Sequence, residues 1–413
     1  MKTAILHYSA PPVVGGVEAV IQAHAAQFAA AGLPLTIISG RGEANALPSG
    51  VDFIRIDEMD TLHPEISAAT AVLNAGQIPD SFESLVDRLA GKLRPQLSGF
   101  DHVIVHNVLT KHFNLPLTAA LFRLMDEGTL KHTIAWCHDL TWSSPNSRNK
   151  VFSSYPWELL KTIHSHVTYV AISKQRKMEV VETFGCSPDH VRIINNGVDP
   201  AGLLDLSAEG VALIDRMGLW TADLILLMPV RVTEAKNIEY ALEVVAALKK
   251  LNCRVKLVLT GPPDPHDPAS LAYYQSLLEL RHRLEIETEM RFVFESGPQP
   301  GTGYIIDQNI VSELYRVADA MFMPSHREGF GMPILEAGFL GIPVISTAVP
   351  AVSDLAGDNA LIFSLDTDAG QLAEQILNRV VARPEHHLRV KIRQNYTWKA
   401  IFERDLLPLL EKK

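Results

Sequence analysis

Short apolar runs alternate with stretches of helical apolar spacing along nearly all of this 413-residue chain. Residues 3–7, 35–38, 102–105, 133–137, 169–172 and 191–194 read as strands, and 17–31 carries the helical period. Ser173 stands where an N-cap belongs, before a helix over 174–184. The run Asn195-Asn196-Gly197-Val198-Asp199-Pro200 is turn chemistry that closes this set. A second set comes next, with strands at 224–229, 255–260, 290–294, 320–323, 343–346 and 361–363 and helices at 238–251, 312–318 and 334–338. Strand–helix alternation of this kind predicts parallel sheets covered by helices, here an α/β protein of two doubly wound, Rossmann-like domains with a boundary near residue 200. No short repeat argues for a solenoid. Ligands of such sheets bind beyond the strands' carboxyl ends, so a cleft facing both sheets is expected, and the loops just after strands are the places to search.

Length agrees, since 413 residues exceed one comfortable hydrophobic core. A net charge of −10 with scattered Lys and Arg argues against a nucleic-acid binder. Cys137, Cys186 and Cys253 match no zinc or CxxC spacing and read as buried thiols in a reducing compartment. The N-terminal apolar run is too short for a signal peptide, and no segment reaches the roughly 18 apolar residues of a membrane span. The expected location is the cytoplasm, with peripheral attachment at the inner face of the membrane left open.

Five places pass the strand-end filter. Gly15-Gly16 precedes a helix, where glycines let a ligand approach helix N-terminal amides, or serve only as turn residues. His138-Asp139 follows a strand directly; its imidazole can donate to a sugar hydroxyl or handle a proton, with Asp139 to orient it or to cap the next turn, and His106 and His112 compete for that role. Arg231 and Lys236 share one strand-to-helix loop and suit a diphosphate, against the alternative of pairing with Glu234 and Glu239. The fourth place is the most informative: in Ser325 through Glu336, Gly329 and Gly331 flank Phe330, Met332-Pro333 opens a helix, and two carboxylates, Glu328 and Glu336, suit vicinal hydroxyls at two depths along one ligand. The amides around Gly331, Met332 and the neighbours of Pro333 are expected to face an anion. The fifth, Asp366-Thr367-Asp368, formally matches an acid-x-acid metal pattern but stands where a helix cap belongs, and Asp264/Asp267 lies in a proline-rich loop. Lys174, Arg176 and Lys177 read as a solvated helix face, against the lesser alternative of contact with an anionic acceptor or lipid headgroup.

The stretch from Glu328 through Glu336 resembles the E-x7-E arrangement of the retaining glycosyltransferase family 4. Gly15-Gly16, His138-Asp139, Ala171-Ile172-Ser173, Asn196-Gly197-Val198-Asp199 and Arg231 with Lys236 stand in that family's order. The resemblance implies the GT-B fold: residues 1–200, joined by a returning helix at about 395–413, form an acceptor-binding domain, and 201–394 bind the nucleotide-sugar donor. It further implies that Gly16 approaches the donor phosphates, that Arg231 and Lys236 hold the diphosphate, and that Glu328 binds the donor sugar and Glu336 the ribose. His138 would contact the reacting sugar, with Gly15, Phe330, Gly331 and Met332 around the donor. No catalytic metal or other cofactor is expected. The sequence departs from the family's habit at Val230 and Asn237, where glycine is frequent, and at Gly338 and Phe339.

The function so implied is hexosyl transfer, with retention, from a UDP- or GDP-sugar to a glycan, lipid-linked or small-molecule acceptor. Two rivals stand beside it: a nucleotide-sugar epimerase of the same fold, which needs no acceptor, and an inactive sugar-nucleotide binding partner, which never turns donor over. A nicotinamide dehydrogenase is disfavoured because no G-x-G-x-x-G follows the first strand. The acceptor would dock on loops 107–114 and 140–155, where Trp136, Trp142 and Trp157 either stack on a sugar or belong to the core.

Overall fold

The computed structural model describes residues 1–264 and 266–411. Its contacts divide the chain into two compact units, Met1–Gly197 with Trp398–Lys413, and Val198–Thr397.

The first unit is built on a seven-stranded parallel sheet of order β3-β2-β1-β4-β5-β6-β7: β1 (Thr3–Ser9), β2 (Leu35–Arg41), β3 (Val51–Arg55), β4 (His102–His106), β5 (Thr133–Cys137), β6 (Val167–Ala171) and β7 (Val191–Ile193). β1, β4 and β5 are buried along their full length, as strands covered on both faces must be, which is why they read as unbroken apolar runs. The connecting helices are α1 (Gly16–Ala30), α2 (Pro64–Asn74), α3 (Phe82–Leu97), α4 (Leu115–Asp126) and α5 (Lys174–Phe184). The Ser173 hydroxyl accepts from the Arg176 amide and starts α5, and left-handed Gly185 ends it. The segment from Trp398 to Glu411 packs on the same unit: Ile401, Phe402, Leu406, Leu409 and Leu410 join a core with Ile5, Ile21 and Phe28, and the Phe28 and Phe402 rings meet at 5.3 Å. Lys412 and Lys413, the tip of the expected returning helix, lie outside the described residues.

The second unit opens with two short helices, α6 (Pro200–Leu203) and α7 (Ala208–Met217). Its six-stranded parallel sheet has the order β10-β9-β8-β11-β12-β13: β8 (Leu224–Met228), β9 (Val255–Leu259), β10 (Met290–Phe292), β11 (Ala320–Met323), β12 (Val344–Thr347) and β13 (Leu361–Phe363). Its helices are α8 (Ile238–Lys250), α9 (Pro268–Arg283), α10 (Gln308–Val317), α11 (Met332–Phe339), α12 (Pro350–Ala356), α13 (Ala369–Ile376) and α14 (Pro384–Asn395). Asp319, wholly buried ahead of β11, accepts both Arg393 guanidinium nitrogens (3.0 and 2.9 Å) and the Ile225 amide, tying α14 to the start of β8.

Both sheets reverse direction once, between β1 and β4 and between β8 and β11. Loops diverge at such a switch point and leave a crevice at the strands' carboxyl ends.

The hydrophobic pattern leaves strand β3 and the helices α2, α3, α4, α6, α7, α9, α12 and α14 unassigned. Edge strand β3 is only half-buried, and α2, α3 and α4 fill the connections between β3, β4 and β5. α10 starts four residues before the expected helix because the Asp307 carboxylate caps the Ile310 amide. The expected strand at 290–294 stops at Phe292, where the chain tightens into a 3-10 turn over Val293–Glu295.

Candidate functional site

In the Val198–Thr397 unit, the loop after β8 and the loop after β11 lie on either side of the switch point. The Lys236 Nζ donates to Glu328 Oε1 at 2.7 Å, and the Ser325 hydroxyl donates to the same oxygen at 2.6 Å. Ser325 is fixed in turn, its carbonyl accepting from the Thr347 hydroxyl, and the His326 amide bonds the Ala235 carbonyl. The third and fourth sequence candidates therefore form one locus, and Lys236 is paired with Glu328 rather than with Glu234 or Glu239. Only 8% of the Glu328 carboxylate is exposed, so water screens the pair weakly.

Arg231 stands exposed on the wall of a cavity of about 1230 Å³ shared with Thr233, His326 and Arg327, and no carboxylate among the described residues pairs with it. Its backbone is pressed against Gly261, where a Cβ would sit 2.5 Å from the Val230 carbonyl oxygen and 2.7 Å from the Arg231 Cα. Gly261 thus belongs to the site although no motif marks it; a lone glycine after a strand is its only signal in sequence. Asn237 occupies the left-handed region (φ 51°, ψ 51°), a conformation that asparagine tolerates better than other residues with a side chain.

Gly331 also requires its glycine, with φ at 87° ahead of α11, whereas Gly329 has no such need. The Ile334 amide turns back onto the Gly331 carbonyl and is not free for a ligand, which corrects the broader expectation for this turn. The Gly331 and Met332 amides have no acceptor among the described residues, and Phe330 and Met332 present half-exposed side chains beside them. Glu336, one helical turn into α11, lies against the buried Tyr315, whose phenol is pushed up by burial and by that carboxylate. Asp368 caps α13 through the Gly370 and Gln371 amides, and Asp267 caps α9. Pro265, between Asp264 and Asp267, is outside the described residues. Among the described residues no group of three His, Cys, Asp or Glu side chains has the geometry of a metal site.

The Met1–Gly197 unit gathers four histidines. His138 Nε2 and His106 Nδ1 are 2.9 Å apart, His7 Nδ1 lies 2.8 Å from the His106 carbonyl oxygen, and His24 fits between His106 and Trp136. Adjacent strands β1, β4 and β5 bring in His7, His106 and the residue after Cys137, and α1 brings His24. Burial lowers His138 to about 3, with the fields of His7 and His24 adding to it, and lowers His24 to about 3 and His106 well below the ordinary range. All three are therefore neutral near pH 7. The facing nitrogens of His106 and His138 share one hydrogen. His106 Nε2 is buried without a partner, and an orphan N–H costs more than an orphan lone pair. The hydrogen is therefore assigned to His106 Nδ1, which leaves His138 Nδ1 as a donor rather than a base.

Asn107, left-handed at φ 60°, accepts the His138 and Asp139 amides on its side-chain oxygen and so holds the loop. Asp139 does not orient His138; its exposed carboxylate bonds Arg176, which corrects both the orienting role and the fully solvated reading of Arg176. Gly15 is extended, and a Cβ there would strike the Glu18 carboxylate at 2.2 Å, while Gly16 faces open space. Glu18, which no sequence motif marks, accepts from the Ser9 hydroxyl and lies 3.9 Å from His7 Nε2. His112 bonds Thr141, so of the competing histidines only His106 touches His138. Trp136 and Trp157 are fully buried and cannot stack on a sugar; Trp142 is half-buried beneath the Lys161 ammonium. Cys137 and Cys253 are buried and Cys186 half-buried, all three unpaired. Among the described residues no helix is long and apolar enough to cross a membrane.

Comparison with known proteins adds an independent line. Residues 14–201 match the model described as Glycosyltransferase Family 4, and residues 216–395 match Glycosyl transferases group 1. The chain is 24% identical over 294 residues to a mannosylglucosylglycerate synthase of Petrotoga mobilis, covering 66% of each chain. It is 29% identical over 213 residues to a D-inositol 3-phosphate glycosyltransferase of Saccharomonospora viridis, covering 50% of this chain and 46% of that one. The matches thus span between about half and two thirds of these relatives' length. A solved structure of WaaG, a glycosyltransferase involved in lipopolysaccharide biosynthesis, aligns over 99% of this chain and 98% of its own at 16% identity, with a TM-score of 0.33.

Proposed function

The chain belongs to the family 4 glycosyltransferases of GT-B fold, and on that premise we propose that it transfers a hexosyl unit, with retention, from a nucleoside diphosphate sugar to a hydroxyl acceptor. The observation that carries the proposal is the Lys236–Glu328 pair at the switch point of the second sheet, with unpaired Arg231 on the cavity wall beside it. Two cations and a buried carboxylate fit the two ends of one ligand: Arg231 and Lys236 the diphosphate, Glu328 the sugar hydroxyls. Glu336 takes the ribose hydroxyls, the Gly331 and Met332 amides complete the anion site, and Phe330 lines it. Gly15 and Gly16 leave room for phosphate oxygens at the start of α1, and His138 donates to the transferred sugar.

In the reaction the bond from the anomeric carbon to the diphosphate oxygen breaks, and the acceptor oxygen bonds that carbon on the same face. The leaving phosphate oxygen takes the acceptor's proton, so no protein base is required. Negative charge grows on the diphosphate as the bond breaks, and Arg231 and Lys236 stabilise it where it grows. The proposal involves no cofactor.

The test is free nucleoside diphosphate measured across UDP- and GDP-sugars, with and without a pool of glycan, lipid-linked and small acceptors. Release from one donor, raised by an acceptor and giving a product of unchanged anomeric configuration, is expected. Donor conversion without diphosphate release would make the protein an epimerase, and donor binding that no acceptor turns into release would make it a binding partner.

A further inference from the structure

A second cavity, of about 440 Å³, lies in the Met1–Gly197 unit and is lined by residues that the donor site does not use. Its walls are the polar face of α2, through Ser67, Thr70 and Asn74, together with His112, Phe113 and Lys150. Among the described residues no acidic side chain lines it. Lys111 is not on its wall, but its ammonium lies 4.9 Å over the ring of Phe113, which is.

The charges there do not balance. Lys111 is almost wholly covered as a residue, yet neither it nor Lys150 has a carboxylate partner among the described residues. The carboxylate whose field reaches Lys111 is Asp139, which is already bonded to Arg176. Burial pulls the Lys111 ammonium below its ordinary value, and the fields of Arg176 and Lys150 add to that. The same crowding appears at His112, lowered to about 4 by burial, Lys111 and Lys150. A half-buried ammonium normally comes with a counter-charge, because desolvation without one is costly.

The surroundings are rigid. The Tyr8 hydroxyl bonds the Lys111 carbonyl, the Thr70 hydroxyl bonds the Phe113 carbonyl, and the Thr141 hydroxyl holds the His112 amide and ring. The loop that carries Lys111 begins at Asn107, the residue that holds the His138 amide. Cavity and His138 therefore share one loop at the carboxyl ends of β4 and β5, the side on which such sheets bind ligands.

We propose that this cavity takes the anionic group, a phosphate or a carboxylate, of a sugar or polyol acceptor, with Lys150 as the counter-charge on its wall, Lys111 adding its charge from over the Phe113 ring, and the Ser67 hydroxyl and Asn74 amide as its polar contacts. Assigning the anion to the acceptor rests on the transferase reading; the existence of the anion site does not.

The test is calorimetric titration of the full chain with glucose 6-phosphate, glucuronate and inorganic phosphate, with glucose as the neutral control. Charged probes should bind and glucose should not. Lys111→Met and Lys150→Met should each weaken that binding about tenfold or more, the usual worth of a charge-assisted hydrogen bond, and Lys111→Arg should restore much of it. Lys150 is the more open of the two, so its variant remains informative if Lys111→Met folds poorly. Preference for the phosphate probe or for glucuronate names the anion. Equal binding of glucose, no binding of any charged probe, or unchanged binding in both methionine variants overturns the proposal. The titration needs no turnover. Intact anion binding without diphosphate release under any condition would therefore sink the transferase reading and spare the site.

Discussion

Around Lys236 and Glu328 the protein keeps formal charges at the edge of an open cavity, whereas around His138 it buries four imidazoles and strips them of charge. Both loci sit at the switch point of a parallel sheet, so topology does not separate them. Solvation does. Arg231 reaches water and Lys236 has an anionic partner in Glu328. His106 and His24 have neither, and burial makes neutrality the cheaper state. One locus thus holds exposed and paired charges beside a cavity that also carries Glu234, Glu239, Asp264 and Asp267, and the other holds neutral imidazoles.

The sharpest way to break this comparison is to remove a charge. Lys236→Ala should lower turnover by about 10²–10³, the cost of deleting a preorganised contact to developing charge, with the fold retained. Steady-state diphosphate release beside a thermal melt checks it; turnover within a few-fold of the parent would strip Lys236 of its role.

Acid tests the other half. His24 and His138 have values of about 3 in the folded chain against 6.5 ordinarily, so below pH 6.5 the unfolded chain gains protons that the folded one refuses. Stability should be flat in these two groups above pH 6.5 and fall by about 1.4 kcal/mol per pH unit for each as pH drops below it. Denaturant midpoints from pH 7 to pH 5 measure the slope, and His24→Phe should make it shallower. An unchanged slope would mean that His24 titrates normally in the folded protein.

The smallest effect belongs to backbone geometry. Asn237→Ala should cost about 1 kcal/mol through its left-handed conformation, and Asn237→Gly should be close to neutral. Equal melting temperatures for the two variants would contradict the geometric account.

Much of the candidate site in the second unit is readable in one dimension because it is made of local signals. Gly331 must be glycine for its φ, Met332-Pro333 opens a helix, and Glu328 and Glu336 flank that turn within a single stretch. The histidine cluster is not readable in the same way. His7, His24, His106 and His138 lie far apart in sequence, and each alone looks like any of the 16 histidines. Gly261 escapes for the same reason, since what forbids its side chain is the backbone of Arg231 on the neighbouring loop.

By itself, then, the sequence determined the features set by hydrophobic period and local geometry: parallel strands alternating with helices, the turn at Gly331, the cap at Ser173, and the residues that bring charge to the strand ends. Only the tertiary structure decided which of those charges are partnered. Glu328 meets Lys236 rather than solvent, Asp139 is spent on Arg176, Trp136 and Trp157 are enclosed, and Lys111 is left covered without a counter-charge among the described residues. Partnering depends on distances across strands and loops and on how much water remains between groups, and neither is set until the sheets have formed.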